Sequence, residues 1–272
     1  FDRLRNGSSD KPLLAVSFDD GQLDNLEFGL PILEEFDIKA SFYLPTDYIG
    51  GDHLLWHDAA AFGWQQLTQN ISATHEFVRE FRLVEPVGEQ RTPDVESFLA
   101  ALKRLSVARR AEILAALASR CPATPPEWAR LMNWEEAGQL YRKGHEIGAH
   151  GRTHELLPQL DADAQSEEVN GSRTAIAEAI GEAPRSFCYP NGSYDENTLA
   201  AVAAAGYDNA VTTRWGMNDS AGSTEYELLR CDVSAASLQD RRGLLSLPRL
   251  SLRLSGCQPG LSRYDGRIPE SA

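Results

Sequence analysis

The sequence has no C-x-x-C pair, and its four cysteines, Cys121, Cys188, Cys231 and Cys257, lie far apart. That spacing excludes a zinc knuckle and a dense disulfide framework, and leaves buried structural thiols as the reading. No stretch reaches the roughly 20 apolar residues of a membrane helix, since even the Ala-rich runs are broken by Arg, Glu or Asp, so a membrane span is excluded. Positive charge is scarce: 26 Lys and Arg stand against 40 Asp and Glu, a net charge of −14. This sign opposes binding to a phosphate backbone and argues against nucleic acid as a partner. Repeats and low-complexity segments are absent, and Gly (21) and Pro (14) are too few for a collagen-like or disordered chain. What remains is an ordinary globular composition, 42% hydrophobic, in which a chain of 272 residues can bury roughly 75% of its unfolded surface. The chain begins at Phe1 rather than Met, so cytoplasmic and exported locations both stay open, as does the oligomeric state.

Leu13 to Phe18 is a short apolar run stopped by Asp19-Asp20-Gly21, the pattern of a buried strand entering a turn. Asn25 to Phe36 has helical spacing at Leu26, Leu30 and Leu33, and Ala40 to Leu44 reads as a second strand. A helix over Trp134 to Lys143 stopped by Gly144, a strand at Glu146 to Ala149 and a long helix over Asp161 to Ile180 follow. Phe187 to Tyr189, Asp195 to Ala205 and Ala210 to Thr213 repeat strand, helix, strand. This alternation predicts an α/β fold with a parallel sheet or barrel, whose functional groups gather at the C-terminal ends of the strands. The stretch at about 50–134 is helical and charged with no strand-like alternation, and is read as a helical insertion in a single domain over 1–272. No trustworthy periodicity follows Arg230.

Three polar motifs fall at predicted strand ends. Asp19 and Asp20 are adjacent carboxylates, a costly place for paired negative charge unless a cation or several donors compensate, although D-D-G is also ordinary turn chemistry. His150 and His154, in H-G-R-T-H, have a spacing that can bring two imidazoles to one face and with one carboxylate make a three-ligand zinc site with an open position, although an H-x3-H pair alone is more often two unrelated histidines. Tyr189-Pro190-Asn191-Gly192 forms a rigid turn whose backbone N–H groups suit an oxyanion, or is simply a turn. Trp56, Trp64 and Tyr48 either offer ring faces to a ligand or pack the insertion. His53, His57, His75 and His145 have no ligand-spaced partner and read as structural or solvated, His53 and His57 in a loop-like segment.

The order SFDDG (Ser17 to Gly21), HGRTH (His150 to His154) and YPNG (Tyr189 to Gly192) resembles the polysaccharide deacetylase family, the NodB-homology domain. The flanks ILEEFDIKASFYLPTDYIG, EIGAH and AAGYDNAVTT are similar to that family's, and the resemblance spans most of residues 13–232. It implies a deformed (β/α) barrel of about seven strands that hydrolyses acetyl groups on N-acetylated, less often O-acetylated, glycans. Carried over by position, Asp19 is the general base, while Asp20, His150 and His154 hold one divalent metal, most often zinc, with cobalt, nickel or manganese as substitutes. The metal polarises the acetyl carbonyl and acidifies a water, an unligated carboxylate takes the proton, and the oxyanion is shared with the backbone N–H of Asn191. Tyr189, Pro190 and Gly192 complete the oxyanion and substrate loop.

Two departures from the family's pattern stand out. Where the third motif usually carries an arginine that orients the base, this chain has Cys188, with Arg185 three residues earlier. The late L-x-H motif that supplies the general-acid histidine is absent, since no histidine follows His154. Either protonated Asp19 returns its proton to the leaving amine, the preferred reading, or His53, His57 or His145 is recruited. The rivals are a hydrolase of another C–N bond, such as a formamide, and a non-catalytic glycan-binding barrel.

Overall fold

β1 (Val16–Phe18), β2 (Ala40–Leu44), β3 (Glu146–Ala149), β4 (Ser186–Cys188), β5 (Asn209–Trp215) and β6 (Leu228–Arg230) form one sheet in chain order. Every neighbouring pair is parallel. The structure, a computed structural model, describes residues 13–83, 94–122, 126, 129–218, 224–234, 238–240 and 242–255; Cys257 falls outside them. Six strands are present among the described residues against the expected seven or so. The sheet curls so that β6 approaches β1 without pairing, and side chains span the gap: Arg230 Nη1 donates to Ser17 Oγ at 3.2 Å. The outcome is the curled sheet of a deformed (β/α) barrel.

Hydrophobic runs without alternation made β2, β3 and β4 readable as strands covered on both faces, and they are almost wholly buried. α1 (Leu30–Glu35) follows β1 after one wide turn at Asn25–Gly29, in which the Leu30 N–H reaches back to Asn25 O. The helix that precedes β3 (Trp134–Arg142) starts at a capping box between Asn133 and Glu136, and the helix that follows it (Ala162–Ile180) starts at Asp161 and stops at Gly181 in the left-handed region. These two helices and Glu196–Ala204 enclose a core of Phe42, Leu44, Ile147, Val169, Phe187 and Val202.

Between β2 and the helix that precedes β3 the described residues form four helices, α2 (Trp56–Leu67), α3 (Ile71–Phe81), α4 (Val95–Lys103) and α5 (Val107–Arg120). From there the helices run on as α6 (Trp134–Arg142), α7 (Ala162–Ile180) and α8 (Glu196–Ala204). The helical content expected over the insertion is interrupted at Ser106, whose hydroxyl caps α5. α2–α5 own a separate core, centred on Trp64 stacked against Phe98 at 4.1 Å. Trp56 and Trp64 are buried, so both pack this segment and neither offers a face to a sugar.

Three side chains fasten the helical segment to the loop after β3. Trp56 Nε1 donates to His154 O at 3.0 Å. Arg110, 1% exposed, lies over the Trp56 ring, pairs with Glu155 and donates to Gln159 Oε1 at 2.8 Å. Gln159 Nε2 in turn donates to Lys103 O at 2.6 Å. Removing one partner of such a buried ion pair costs about 3–5 kcal/mol, so the segment is fixed relative to the strand ends.

After β6, where sequence reading found only loop, α9 (Leu247–Leu254) forms, capped by Ser246. It escaped notice because it is short, opens on Leu-Pro and interleaves Arg249 and Arg253 with leucines that stay exposed at Leu247, Leu252 and Leu254. No described helix is long and apolar enough to cross a membrane.

Candidate active site

Asp19 and Asp20 leave the end of β1, and their turn separates their fates. Asp20 sits in the left-handed region at φ 71° and Gly21 follows at φ 67°, where glycine alone is unstrained. Opposite them, His150 directly follows β3, its N–H donates to Leu44 O at 3.0 Å, and the loop to His154 is held by Glu168 on α7. Glu168 accepts the Arg152 and Thr153 N–H groups at 2.7 and 3.0 Å and the Thr153 hydroxyl at 2.6 Å. Sequence reading missed Glu168, which sits inside an unremarkable polar helix and announces itself only through the loop it binds.

The result brings Asp20, His150 and His154 together, with one donor atom of each within 4.8 Å of the others. His150 Nε2 and His154 Nε2 lie 3.4 and 3.1 Å from the same oxygen, Asp20 Oδ1. That oxygen is buried and makes no well-formed hydrogen bond, as is also true of His154 Nδ1. His150 Nδ1 is 2.6 Å from Cys188 O, so it carries a ring proton and donates it, and in the neutral ring Nε2 is the lone pair that faces the carboxylate. Two lone-pair donors and an anionic oxygen converging in a buried space fit a divalent cation, and the N/N/O donor set suits zinc. Without a cation the group compensates by protons. Burial would raise Asp20, yet the two imidazoles hold it well below the usual carboxylate range. Burial likewise opposes a charged His150, but Cys188, Asp20 and Asp19 around it drive it well above the ordinary histidine range, while burial keeps His154 below it.

Asp19 takes a different partner. Arg230, the last residue of β6, donates Nη1 to Asp19 Oδ1 at 2.8 Å and Nη2 to Oδ2 at 2.7 Å, a bidentate pair. Its Nε donates to Thr212 O at 2.8 Å, so the guanidinium is fixed from both ends. Burial alone would raise Asp19; Arg230 and then His150 outweigh it and lower its pKa below the ordinary value. This answers the orientation problem left by Cys188. The orienting arginine comes from β6, 42 positions after Cys188, and the Cys188 thiol fills the space between, 3.3 Å from Arg230 Nη2 and 3.5 Å from Asp19 Oδ2. Arg185, the nearer candidate in sequence, pairs with Asp208 at the surface instead. Asp19, His150 and Cys188 also lie within 4.8 Å of one another, but the guanidinium beside that second group repels a cation.

In the third motif, Asn191 adopts φ 56° and the turn closes through Gly192 N–H to Tyr189 O (2.8 Å) and Ser193 N–H to Pro190 O (3.1 Å). The Asn191 N–H stays outside both bonds. Gly192 is required by contact: a Cβ there would meet Thr213 Oγ1 at 1.9 Å. Tyr189 and Pro190, expected at the substrate, are buried; the Tyr189 ring packs on Phe187 and Tyr194 and its hydroxyl donates to Tyr226 O. They build the turn from behind, because the chain enters it from a strand buried on both faces.

The helical segment supplies more of the site than its sequence announced. His57 stands in the first turn of α2, not in a loop, with its ring 4.9 Å from that of His154, and burial takes its pKa down to about 3. Lys103, at the end of α4, donates to Asn191 Oδ1 at 2.5 Å. His145 instead accepts the Ala40 N–H at 3.2 Å behind the strands, and His53 precedes α2 without joining the group. Asp58 next to His57 is pushed up to about 6, first by burial and then by the charge of Asp20. A carboxyl raised in the folded state is stabilising when protonated, so its contribution is lost as pH rises from the unfolded value near 3.8 through 6. In metal-free protein Asp58→Asn is therefore expected to raise stability at pH 7.5 by on the order of 1–2 kcal/mol and to leave it unchanged near pH 3.5, as read by thermal unfolding at both pH values.

Sheet order and the strand-end placement of the polar motifs bring one carboxylate and two histidines together in a group that could hold a metal ion. Residues 92–210 match the sequence profile of the polysaccharide deacetylase family, a span that includes the second and third motifs but not Asp19 and Asp20. Over that span the chain is similar to the polysaccharide deacetylases, hydrolases of carbon–nitrogen bonds other than peptide bonds. It is similar in fold to the deacetylase PplD of Streptococcus pyogenes, solved in complex with acetate, at 17% identity and TM-score 0.52 over 84% of this chain and 69% of that one. IcaB from Ammonifex degensii aligns at 15% identity and TM-score 0.50 over 84% and 73%. A de-N-acetylase from Aggregatibacter actinomycetemcomitans aligns at 14% identity and TM-score 0.50 over 93% and 80%. No curated protein matches the sequence.

Proposed function

We propose that this protein is a divalent-metal-dependent deacetylase that removes acetyl groups from an N-acetylated, or less readily an O-acetylated, glycan. The observation that supports this most is the division of labour between adjacent carboxylates: Asp20 faces two imidazoles while both oxygens of Asp19 are taken by Arg230. A binding module has no use for an ionised, fixed carboxylate beside a cation group, and a base has every use for one. Asp20, His150 and His154 would hold the metal, with zinc first and cobalt, nickel or manganese as substitutes; when bound it polarises the acetyl carbonyl and acidifies a water. Asp19, kept ionised by Arg230, accepts the proton of the attacking water. The Asn191 N–H, free of the turn's own bonds, donates to the carbonyl oxygen as it gains charge. Glu168 and the Trp56 indole hold the His150–His154 loop, and Glu168 does so through backbone bonds that survive rearrangement of side chains.

The choice of acetyl over other acyl groups is supported by the similar folds, which include a deacetylase solved in complex with acetate and a de-N-acetylase. Incubation with a panel of acetylated and formylated oligosaccharides, with acetate and formate measured separately, tests the reading. Acetate from an N-acetylated member is expected; formate alone points to a deformylase, and neither acid to a glycan-binding barrel.

A further inference from the structure

Cleaving an amide leaves an amine that must take a proton, and the groups around Asp19 restrict which residue can give it. Both Asp19 oxygens are gripped by Arg230, so its carboxyl is not free to turn from the water to the leaving nitrogen. Asp20, His150 and His154 are committed to the cation group. His57 packs its ring against that of His154, 4.9 Å away. Lys103 is different: it arrives from the opposite wall, on α4, and its Nζ donates to Asn191 Oδ1 at 2.5 Å in the loop that faces the acetyl group. Its backbone is fixed as well, since Lys103 O accepts from Gln159 Nε2, and Gln159 is tied to Arg110. Building on the deacetylase reading, we propose that Lys103 is the general acid, a catalytic residue supplied by the helical segment. In the step, the C–N bond breaks, its electron pair stays on nitrogen, and nitrogen takes a proton from Lys103 Nζ. Asp19 releases to solvent the proton it took from water, and Lys103 regains one from solvent, so the sum is amide plus water to carboxylic acid plus amine. Burial lowers the ammonium below the ordinary lysine value, against the opposing charge of Asp20, and that makes it a readier donor.

The test uses Lys103→Met and Lys103→Arg in the full chain, each reloaded with zinc, on the N-acetylated oligosaccharide that the wild type turns over fastest and on 4-nitrophenyl acetate. The phenolate of the ester leaves without a proton, whereas the amine does not. Both variants are expected to lose about 10²–10⁴-fold in kcat on the amide and less than about threefold on the ester. Arginine keeps the charge and the bond to Asn191 but cannot give up its proton, so it also serves where Lys103→Met fails to fold. An equal fall on both substrates means that Lys103 only positions Asn191 and overturns the proposal, as does a Lys103→Arg variant within about threefold of wild type on the amide. A wild type that cleaves the ester but no acetylated glycan removes the deacetylase reading itself, and this proposal with it.

Discussion

Asp19→Asn is expected to lower acetate release by about 10²–10⁴-fold while the protein still takes up one equivalent of zinc. An amide cannot accept the proton of the attacking water, and Asp19 is the carboxylate that Arg230 holds ionised for that purpose. The ligands are untouched, because Asp20, His150 and His154 form a group that Asp19 does not enter. Zinc content and acetate release measured on one preparation separate the roles. Activity within about tenfold of wild type would remove Asp19 as the base.

Arg230→Met is expected to weaken both stability and turnover, and to do so in a pH-dependent way. In the native chain the Asp19 pKa is lowered, so its contribution to stability is present above the unfolded value of 3.8 and is lost as pH falls through the folded one. Without the guanidinium, burial is unopposed by its main partner and the carboxyl is raised instead, so stability is lost as pH rises. The gap between wild type and variant is thus widest at neutral pH, about 2–4 kcal/mol for a pair this enclosed, and narrows as pH falls below 3.8 towards the lowered folded value. Urea unfolding at pH 7 and pH 3.5 reads it. The acid limb of kcat/KM moves upward in the variant, because the base must now lose its proton at higher pH. Asp19→Asn combined with Arg230→Met is expected to recover much of the lost stability, since no buried charge then lacks a partner. A variant equal to wild type at neutral pH contradicts the pairing.

The strands and helices that were legible in sequence were those whose periodicity came from complete burial. Ala40–Leu44 and Glu146–Ala149 appear with the boundaries read for them, and the long helix ends at Ile180 before Gly181. The carboxylate and the two histidines were legible because each ends a strand in a short motif. Arg230 was not, although the same rule applied to it: Leu-Leu-Arg is an apolar strand ending in a charged side chain, and it meets Asp19 only because the sheet curls back on itself across 211 positions. His57 and Lys103 were hidden for another reason. They lie on amphipathic helices whose charged positions resemble any solvated face, and only the Trp56 and Arg110 anchors turn them toward the strand ends. Tyr189 erred in the opposite direction, since a tyrosine in a motif looks like a contact residue while its ring is needed to pack the turn.

The most direct measurement strips the protein with a chelator and titrates zinc back while acetate release from the best acetylated oligosaccharide is followed. Activity is expected to fall to background on stripping and to rise linearly to a plateau at one zinc per chain, with no recovery in His154→Ala. Acetate release that survives stripping, or that needs no His154, would contradict a metal-dependent deacetylase built on Asp20, His150 and His154.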